Sequence, residues 1–287
     1  MEFRFLYDAK RKLFSVGYDV KSKRLAPYSY DLLASEARTA VLLAIAKGDV
    51  PQEAWFHLGR TQTLYRGERV LLSWSGTMFE YLMPTLWMRS YPGTILDHTA
   101  RAAVRCQQKY AQTAHCPWGI SEAAYSNRDH QGSYQYHAFG VRELALDPHA
   151  AIDLVVAPYA SFLALAVDPF AATRNLAAME RLGCLGAYGF YESCECRPAG
   201  KYAQSHCQPI RSWMAHHQGM ILLALCNLFD ESSIRKWFHH EPRVLATELL
   251  LHEKVPLMAT VEANPLRPHS PAGFASGQRH STPAFGK

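Results

Sequence analysis

Segments in which apolar residues recur at helical spacing alternate along this chain with long loops rich in glycine and aromatic residues. The 287 residues, 48% of them hydrophobic, are enough for one large domain with a substantial core. Paired helices joined by long loops can close into a ring, and the loops then gather on one face and build a cleft. The alternation therefore predicts a mainly helical toroid that carries its functional groups in the loops.

The periodicity predicts a series of helices, each bounded by a capping residue, a glycine or a proline. They cover residues 30–47, 51–58, 77–88, 94–114, 158–167, 169–183, 209–229, 231–238 and 242–252. Alternating aromatic residues within residues 1–30 predict a small β-hairpin. Residues 116–147 and 184–206 are expected to be long loops. Residues 1–255 should form one domain, and residues 256–287, rich in Pro, Ser, Gly and His, a linker or disordered tail.

Three glutamates share one local setting, in which a glycine precedes the carboxylate and aromatic residues flank it. The segments are Gly76-Thr-Met-Phe-Glu80, Trp118-Gly-Ile-Ser-Glu122 and Tyr188-Gly-Phe-Tyr-Glu192. Aromatic rings pack against the C–H faces of sugars, and cleavage of a glycosidic bond needs two carboxyl groups on opposite sides of it. The pattern predicts a carbohydrate cleft with Glu122, Glu192 and Glu80 as candidate catalytic residues.

Each of these glutamates also has a structural interpretation. Glu80 lies three residues after Thr77, which matches a capping box at a helix N-terminus. Glu122 and Glu192 lie in predicted loops, where a salt bridge or a loop brace is the alternative to catalysis. A carboxyl group beside Trp118 or Phe190 would be partly desolvated, which raises its pKa and suits a general acid.

Further aromatic and polar residues of the loops are candidate substrate-binding residues. They are Trp74, Trp118, Tyr125, Arg128, Asp129, Tyr136, Asp153, Tyr159, Tyr191, His216, His217 and Gln218. Asp153 lies in an apolar run, so it either braces a loop or contacts substrate. His217 falls on the apolar stripe of a predicted helix, where a core histidine is usual. His216 is offset by about 100° and could face the cleft together with Gln218.

Charge and motifs exclude several other classes of protein. The net charge of +5 is spread along the chain without a basic stripe, so we predict no nucleic-acid partner. No secretory signal or sufficiently long apolar segment is present, which predicts a cytoplasmic location for this chain. The sequence contains no nucleotide-binding, zinc-peptidase or serine-hydrolase motif, and we predict no cofactor.

The seven cysteines have irregular spacing, which does not predict a disulfide framework and favours a reducing compartment. Cys194-Glu-Cys196 lies near Cys184, His206 and Cys207, which raises a zinc site as an alternative. Because the usual Cys-x2-Cys pair is missing, the sequence alone predicts no metal site.

Several segments together resemble the glucoamylase-like module of cyclic β-1,2-glucan synthases. The resemblance covers roughly residues 1–255 and rests on long motifs that occur in the same order. These motifs are Tyr30-Asp-Leu-Leu-Ala-Ser-Glu-Ala-Arg38, Ala46-Lys-Gly-Asp49, Trp74-Ser-Gly-Thr-Met-Phe-Glu-Tyr-Leu-Met-Pro84, Pro117-Trp-Gly-Ile-Ser-Glu122, Val156-Ala-Pro-Tyr159, Tyr188-Gly-Phe-Tyr-Glu192 and Met214-Ala-His-His-Gln-Gly-Met220.

The resemblance implies an (α/α)6 toroid within a large inner-membrane protein. It implies transglycosylation and cyclisation of a linear β-1,2-glucan chain, with a glycosyltransferase module and a phosphorylase module as partners. It also implies that acidic residues of the cleft perform the chemistry, with Glu122 and Glu192 as the best pair and Glu80 third. Helices expected before the first residue are missing, so we expect an incomplete toroid or a fragment.

Three alternatives remain open at this stage. The chain could be an endo-β-1,2-glucanase-type hydrolase, or a non-catalytic glucan-binding module that keeps the aromatic cleft and lacks the chemistry. Hydrolysis of α-linked glucans follows only from the name of the family.

Overall fold

The computed structural model describes residues 2–197 and 206–254, which form a mainly helical fold with several small sheets. The helices are α1 (Ser35–Ala46), α2 (Glu53–His57), α3 (Met78–Leu82), α4 (Ile95–Ala114), α5 (Pro158–Ala164), α6 (Pro169–Arg181), α7 (Ala215–Phe229), α8 (Ser233–His240) and α9 (Pro242–Thr247). Single 3-10 turns occupy Arg4–Leu6, Met83–Leu86, Arg142–Leu144 and Glu248–His252. The expected tail, residues 256–287, lies outside the described residues.

All paired strands are antiparallel, and most of them form two-stranded ribbons. The strands are β1 (Tyr7–Asp8), β2 (Leu13–Phe14), β3 (Tyr18–Asp19), β4 (Arg24–Leu25), β5 (Gln62–Tyr65), β6 (Glu68–Leu71), β7 (Ala123–Arg128), β8 (Tyr134–His137), β9 (Val155–Val156), β10 (Leu185–Gly186), β11 (Gly189–Phe190), β12 (Ser193–Arg197) and β13 (His206–Ile210). Strand β12 pairs with both β9 and β13, which gives a three-stranded sheet. The hairpin predicted in residues 1–30 is confirmed as β1–β2, and β3–β4 adds a second one.

Side-chain caps fix the starts of several helices. Thr77 and Glu80 form the predicted capping box at α3, and the Thr94 side chain accepts a hydrogen bond from the Asp97 N–H at α4. Asp168 caps α6 through the Ala171 N–H, which separates α5 from α6 as predicted. These short-range signals made the helix starts readable from sequence.

Two predicted helices begin later than expected. The Asp31 carboxylate accepts hydrogen bonds from the N–H groups of Leu33 and Ala34, which forms a turn, so α1 starts only at Ser35. Residues 206–210 pair with β12, and α7 consequently starts at Ala215 rather than near residue 209. Long-range strand pairing overrides the helical pattern in that segment.

The expectation of two structureless loops was wrong. Residues 116–147 contain the β7–β8 hairpin, and residues 184–206 contain the β10–β11 hairpin and β12. Glu122 and Glu192 still lie outside regular structure, each in the bend directly before a strand. The strands that follow hold both bends in fixed positions.

The expectation that cysteines stay unpaired was also wrong for one pair. Cys196 on β12 lies directly opposite Cys207 on β13, and the two form a disulfide with a Cα–Cα distance of 4.0 Å. Spacing did not predict this pair, because strand register brings the two residues together.

The first turns of α1, α3, α5 and α7 converge at one end of the helical core. The Met78 N–H of α3 donates to the Ile120 carbonyl, and Tyr159 in α5 stacks on His217 in α7 at a ring distance of 3.8 Å. The charge of Glu36 in α1 acts on Glu122 at the same end. The bend that carries Glu122 therefore lies among the starts of four helices.

One glycine allows the loops to approach one another closely at this end. A Cβ atom on Gly140 would lie 1.9 Å from the Ser75 carbonyl oxygen, so only glycine fits there. This contact joins the segment after the β7–β8 hairpin to the turn that Glu80 braces.

Candidate active site

The Glu122 bend is held by an ordered chain of hydrogen bonds. The Tyr159 hydroxyl donates to the Glu122 carbonyl oxygen at 2.9 Å, and Ser121 Oγ lies 2.8 Å from the same hydroxyl. Ser121 Oγ accepts the Phe79 N–H at 3.0 Å. Because the single proton of Tyr159 is committed to Glu122, Ser121 donates to Tyr159. Helices α3 and α5 thus fix the backbone at Glu122.

The Glu122 carboxyl group is half-buried, and its pKa is raised to about 7. Burial is the largest cause, and the charges of Glu36, Glu80 and Glu192 raise this pKa further. A hydrogen bond from the Tyr136 hydroxyl opposes the shift. A carboxyl group with this pKa is protonated in about half of the molecules at neutral pH, and that fraction can donate a proton, as a general acid must. The expected rise in pKa is confirmed for Glu122.

Tyr136 reaches Glu122 because of the register of the β7–β8 hairpin. It lies opposite Ala124, two residues after Glu122, so both side chains project from the same face of the ribbon. Its hydroxyl also lies 3.4 Å from His217 Nε2. Burial, followed by the charge of Glu122, raises the pKa of Tyr136, which keeps the phenol protonated.

Glu192 and His217 form a fully buried pair behind Tyr136. Glu192 Oε1 lies 2.8 Å from His217 Nδ1, and the two side chains are 0% and 1% exposed. Glu192 Oε1 also accepts the Ala124 N–H at 3.4 Å, while Oε2 has no hydrogen-bond partner among the described residues. The pair holds the His217 ring so that Nε2 points toward Tyr136.

The Glu192 carboxylate lies below the protein surface, and its predicted catalytic role stays a prediction. The carboxylate has no exposed surface, it is paired with His217, and its charge also raises the pKa of Glu122. The core-histidine interpretation of His217 describes its burial correctly. Glu192, His217, Tyr136 and Glu122 form a continuous chain of polar contacts, which sequence spacing alone does not reveal.

Glu80 acts as a brace for the turn before α3. Its carboxylate accepts hydrogen bonds from Ser73 Oγ, from the Ser75 N–H and from the N–H and hydroxyl groups of Thr77. Burial raises the pKa of Glu80, and these donors partly offset that rise. The structural interpretation as a capping box is confirmed, and the carboxylate is committed to the turn.

Glu36 is a candidate that sequence reasoning missed. It is exposed in the first turn of α1, and its charge raises the pKa of Glu122 and of Tyr136. A glutamate at a helix start is usually interpreted as favourable to the helix dipole, and the five residues before Glu36 include no glycine or aromatic residue. The available signal was its place in the motif Tyr30-Asp-Leu-Leu-Ala-Ser-Glu-Ala-Arg38.

Three other predicted substrate-binding residues, His216, Gln218 and Trp74, differ in their contacts and exposure. His216 is exposed beside His217, and the centroids of the two rings are 4.0 Å apart. Partial burial of its ring, followed by the charge of His217, lowers the pKa of His216. Gln218 donates to the Phe190 carbonyl at 3.4 Å. Trp74 is 60% exposed on the turn that Glu80 braces.

A second group of predicted residues faces away from Glu122 or serves the fold. Tyr125 and Asp153 line a separate cavity of about 360 Å³, and Tyr125, one residue after Ala124, projects from the opposite face of β7. Arg128 stacks on Tyr134 and Asp129 closes the hairpin turn by accepting from Gln131 and Ser133 N–H groups. The buried Trp118 is bound to Asn175 through its backbone, and Tyr191 packs on Trp213. Their predicted contacts with substrate stay predictions.

Comparisons with known proteins identify relatives of this chain. Residues 28–242 match a family described as "Putative glucoamylase". The cyclic β-(1,2)-glucan synthase NdvB of Rhizobium meliloti (strain 1021) is 45% identical over 256 residues, which is 89% of this chain and 9% of that protein. The chain thus spans a small part of this relative.

Solved structures share the fold at low sequence identity. The endo-β-1,2-glucanase from Chitinophaga pinensis, in complex with sophorotriose and glucose, superposes with a TM-score of 0.64 at 17% identity, over 88% of this chain and 61% of that one. A Bacteroides caccae protein described in the same words as the family gives a TM-score of 0.63 at 15% identity, over 88% and 62% of the two chains. Closure into an (α/α)6 toroid stays a prediction.

Within residues 2–197 and 206–254, the structure contains no helix with the length and apolar character that crossing a membrane requires.

Proposed function

The chain belongs to the glucoamylase-like family, and we propose that it processes β-1,2-glucan by transglycosylation, which cyclises the linear chain. The observation that carries the proposal is Glu122, a half-buried carboxyl group with a pKa of about 7 beside an aromatic hydroxyl group. The 45% identity to a cyclic β-(1,2)-glucan synthase supports the choice of linkage. The glycosyltransferase and phosphorylase modules of such a synthase are the proposed partners.

In the proposed mechanism, Glu122 is the general acid. It donates its proton to the glycosidic oxygen as the bond to the anomeric carbon breaks. The resulting carboxylate then takes a proton from the incoming acceptor hydroxyl group. Tyr136 stays hydrogen-bonded to Glu122 through both steps, and the buried Glu192–His217 pair positions Tyr136.

The second carboxylate of this mechanism is proposed to be Glu36 rather than Glu192. A group that attacks an anomeric carbon must be accessible to the sugar, and Glu36 is exposed whereas the Glu192 side chain is 0% exposed. The Glu80 carboxylate is already hydrogen-bonded within the turn before α3. A retaining route needs the two carboxyl groups about 5–5.5 Å apart on opposite sides of the bond, with Glu36 as the nucleophile.

The acceptor decides between cyclisation and hydrolysis. When a hydroxyl group of the same glucan chain takes the place of water, the product is a ring, and when water reacts, the product is a shorter linear chain. Hydrolysis of the endo-β-1,2-glucanase type is therefore the second candidate function, and the shared fold of the Chitinophaga pinensis enzyme favours it.

The test is incubation of the full chain with linear β-1,2-glucan, followed by mass spectrometry of the products. We expect products that have lost one water relative to linear chains, and we expect Glu122→Gln and Glu36→Gln each to lower the rate on the order of 10³-fold or more. Linear products with new reducing ends would establish hydrolysis instead.

Two further outcomes would overturn the proposal. Binding of glucan without any change in chain length, unaffected by Glu122→Gln, would identify a glucan-binding module. Activity on starch together with none on β-1,2-glucan would identify an α-glucan hydrolase.

A further inference from the structure

Four cysteines gather on one side of the three-stranded β9–β12–β13 sheet. Cys194 and Cys196 are two residues apart on β12 and therefore project from the same face, and Cys207 lies directly across from Cys196 on β13. The sulfur atoms of these three residues all lie within 4.8 Å of one another. The thiol of Cys184, at the start of the β10 segment, is hydrogen-bonded to that of Cys194.

The positions of these sulfur atoms fit a thiolate metal site once the disulfide between Cys196 and Cys207 is reduced. With Zn–S bonds of about 2.3 Å, the sulfur atoms of a tetrahedral site are about 3.8 Å apart. The Cys194 sulfur lies within 4.8 Å of the sulfur atoms of Cys196 and Cys207, which is at most about 1 Å more than that separation, and the Cys184 sulfur adjoins Cys194. The sulfur atoms of Cys196 and Cys207 are bonded to each other and must move apart on reduction. Cys184, Cys194 and Cys196 are buried and Cys207 is half-buried, as is usual for structural rather than catalytic zinc.

We propose that Cys184, Cys194, Cys196 and Cys207 form a four-cysteine site that binds Zn²⁺ when all four are reduced. Binding joins one Zn²⁺ to four thiols, forms four Zn–S bonds and releases four protons. The Cys196–Cys207 disulfide must first be reduced: a phosphine supplies two electrons and becomes the phosphine oxide while water supplies the oxygen and two protons, or two low-molecular-weight thiols supply both electrons and protons and become a disulfide.

The site would clamp the strand that leads out of the catalytic centre. Cys194 is two residues after Glu192. Glu195, between the two β12 cysteines, accepts a hydrogen bond from the Ser126 N–H of the β7–β8 hairpin at 2.9 Å. A metal that ties β12 to β13 and to the Cys184 segment therefore holds Glu192 in register with His217. The inference does not depend on which glucan reaction the chain catalyses.

The experiment uses the full chain, reduced with a phosphine under anaerobic conditions and freed of metal. We expect it to retain about one Zn²⁺ per chain after desalting, and Co²⁺ in place of Zn²⁺ to give the intense visible bands of tetrahedral cobalt–thiolate coordination. Cys184→Ser and Cys194→Ser should each weaken Zn²⁺ binding by about tenfold or more. Cys226→Ser, at an exposed free thiol, and Cys106→Ser, at a buried one, are matched controls and should leave binding unchanged.

A second measurement does not require the variants to fold. Zn²⁺ should protect these four cysteines of the native chain, and not Cys226, from alkylation that is mapped by mass spectrometry. Failure of the reduced protein to retain Zn²⁺, or alkylation of Cys184 and Cys194 at the same rate with and without Zn²⁺, would overturn the proposal. Equal loss of binding in Cys226→Ser would overturn it as well.

Discussion

Replacing Glu122 by glutamine should stabilise the protein at pH 8 and leave its stability nearly unchanged at pH 4. The pKa of Glu122 is about 7 in the folded protein, against an ordinary value of 4.5. Below pH 4.5 the carboxyl group is protonated in both folded and unfolded chains, so it contributes nothing to the pH dependence. Between pH 4.5 and 7 only the unfolded chain releases the proton, so stability falls as pH rises, and the full loss persists above pH 7.

The size of this loss follows from the pKa difference. The step from 4.5 to about 7 corresponds to about 3 kcal/mol at roughly 1.4 kcal/mol per pKa unit. Solvent reaches part of the half-buried side chain, so we expect a gain of about 1–2 kcal/mol for Glu122→Gln at pH 8. Glutamine removes the titration but can still accept the hydrogen bond from Tyr136.

The assay is urea unfolding of the wild-type chain and of Glu122→Gln from pH 4 to pH 8. Glu68→Gln is the matched control of opposite sign, because the hydrogen bond from Arg105, aided by Lys109, lowers the pKa of Glu68 to about 2. Glu68 therefore adds stability that is present above the ordinary pKa, and its glutamine variant should lose stability at pH 8. A Glu122→Gln variant whose stability relative to wild type is the same at both pH values would refute the reasoning.

Three other expectations concern the same region. Gly140→Ala should lower the free energy of unfolding by about 2–4 kcal/mol in chemical denaturation, because its Cβ atom would lie 1.9 Å from the Ser75 carbonyl oxygen. Gly17→Ala is the control: nothing lies within 4 Å of its Cβ position, so stability should change by less than about 1 kcal/mol. Equal effects of the two substitutions would contradict the close approach at Gly140. The rate of glucan conversion should fall as pH rises through about 7, because Glu122 loses its proton there. In Tyr136→Phe the fall should move to higher pH, because the hydrogen bond that this variant loses lowers the pKa of Glu122. A fall at lower pH in Tyr136→Phe would argue against this hydrogen bond. His217→Gln should lower kcat on the order of 10–100-fold with little change in KM, since His217 acts through Tyr136 rather than on the sugar; a change confined to KM would assign it to binding.

Local chemistry made the helical part of this fold predictable. The caps at Thr77, Thr94 and Asp168 depend on contacts within three residues, and the starts of the helices that they cap were predicted from sequence. The β7–β8 and β12–β13 pairs were not, because strand pairing depends on distant partners and short alternating runs look like loops.

The acidic residues also differ in whether neighbouring residues or distant ones determine their contacts. Glu80 as a brace follows from its spacing to Thr77, whereas the aromatic setting that Glu122 and Glu192 share marked both as candidates without saying which is the acid. The buried contact of Glu192 with His217 joins residues 25 positions apart and has no local signature. Glu36 interacts with Glu122 over a still larger separation in sequence, and it lies in a helix rather than in the glycine- and aromatic-rich loops that marked the other glutamates.

The meeting of four helix starts around Glu122 has a consequence for how activity and structure are lost together. The longer of those helices, α1 and α7, can keep part of their helical content after the contacts between helices are lost, but Glu122, Tyr136 and His217 lie on three different elements. Gentle denaturation should therefore abolish the proposed glucan turnover while part of the far-ultraviolet circular dichroism remains, so turnover would report on helix docking and ellipticity on helix content.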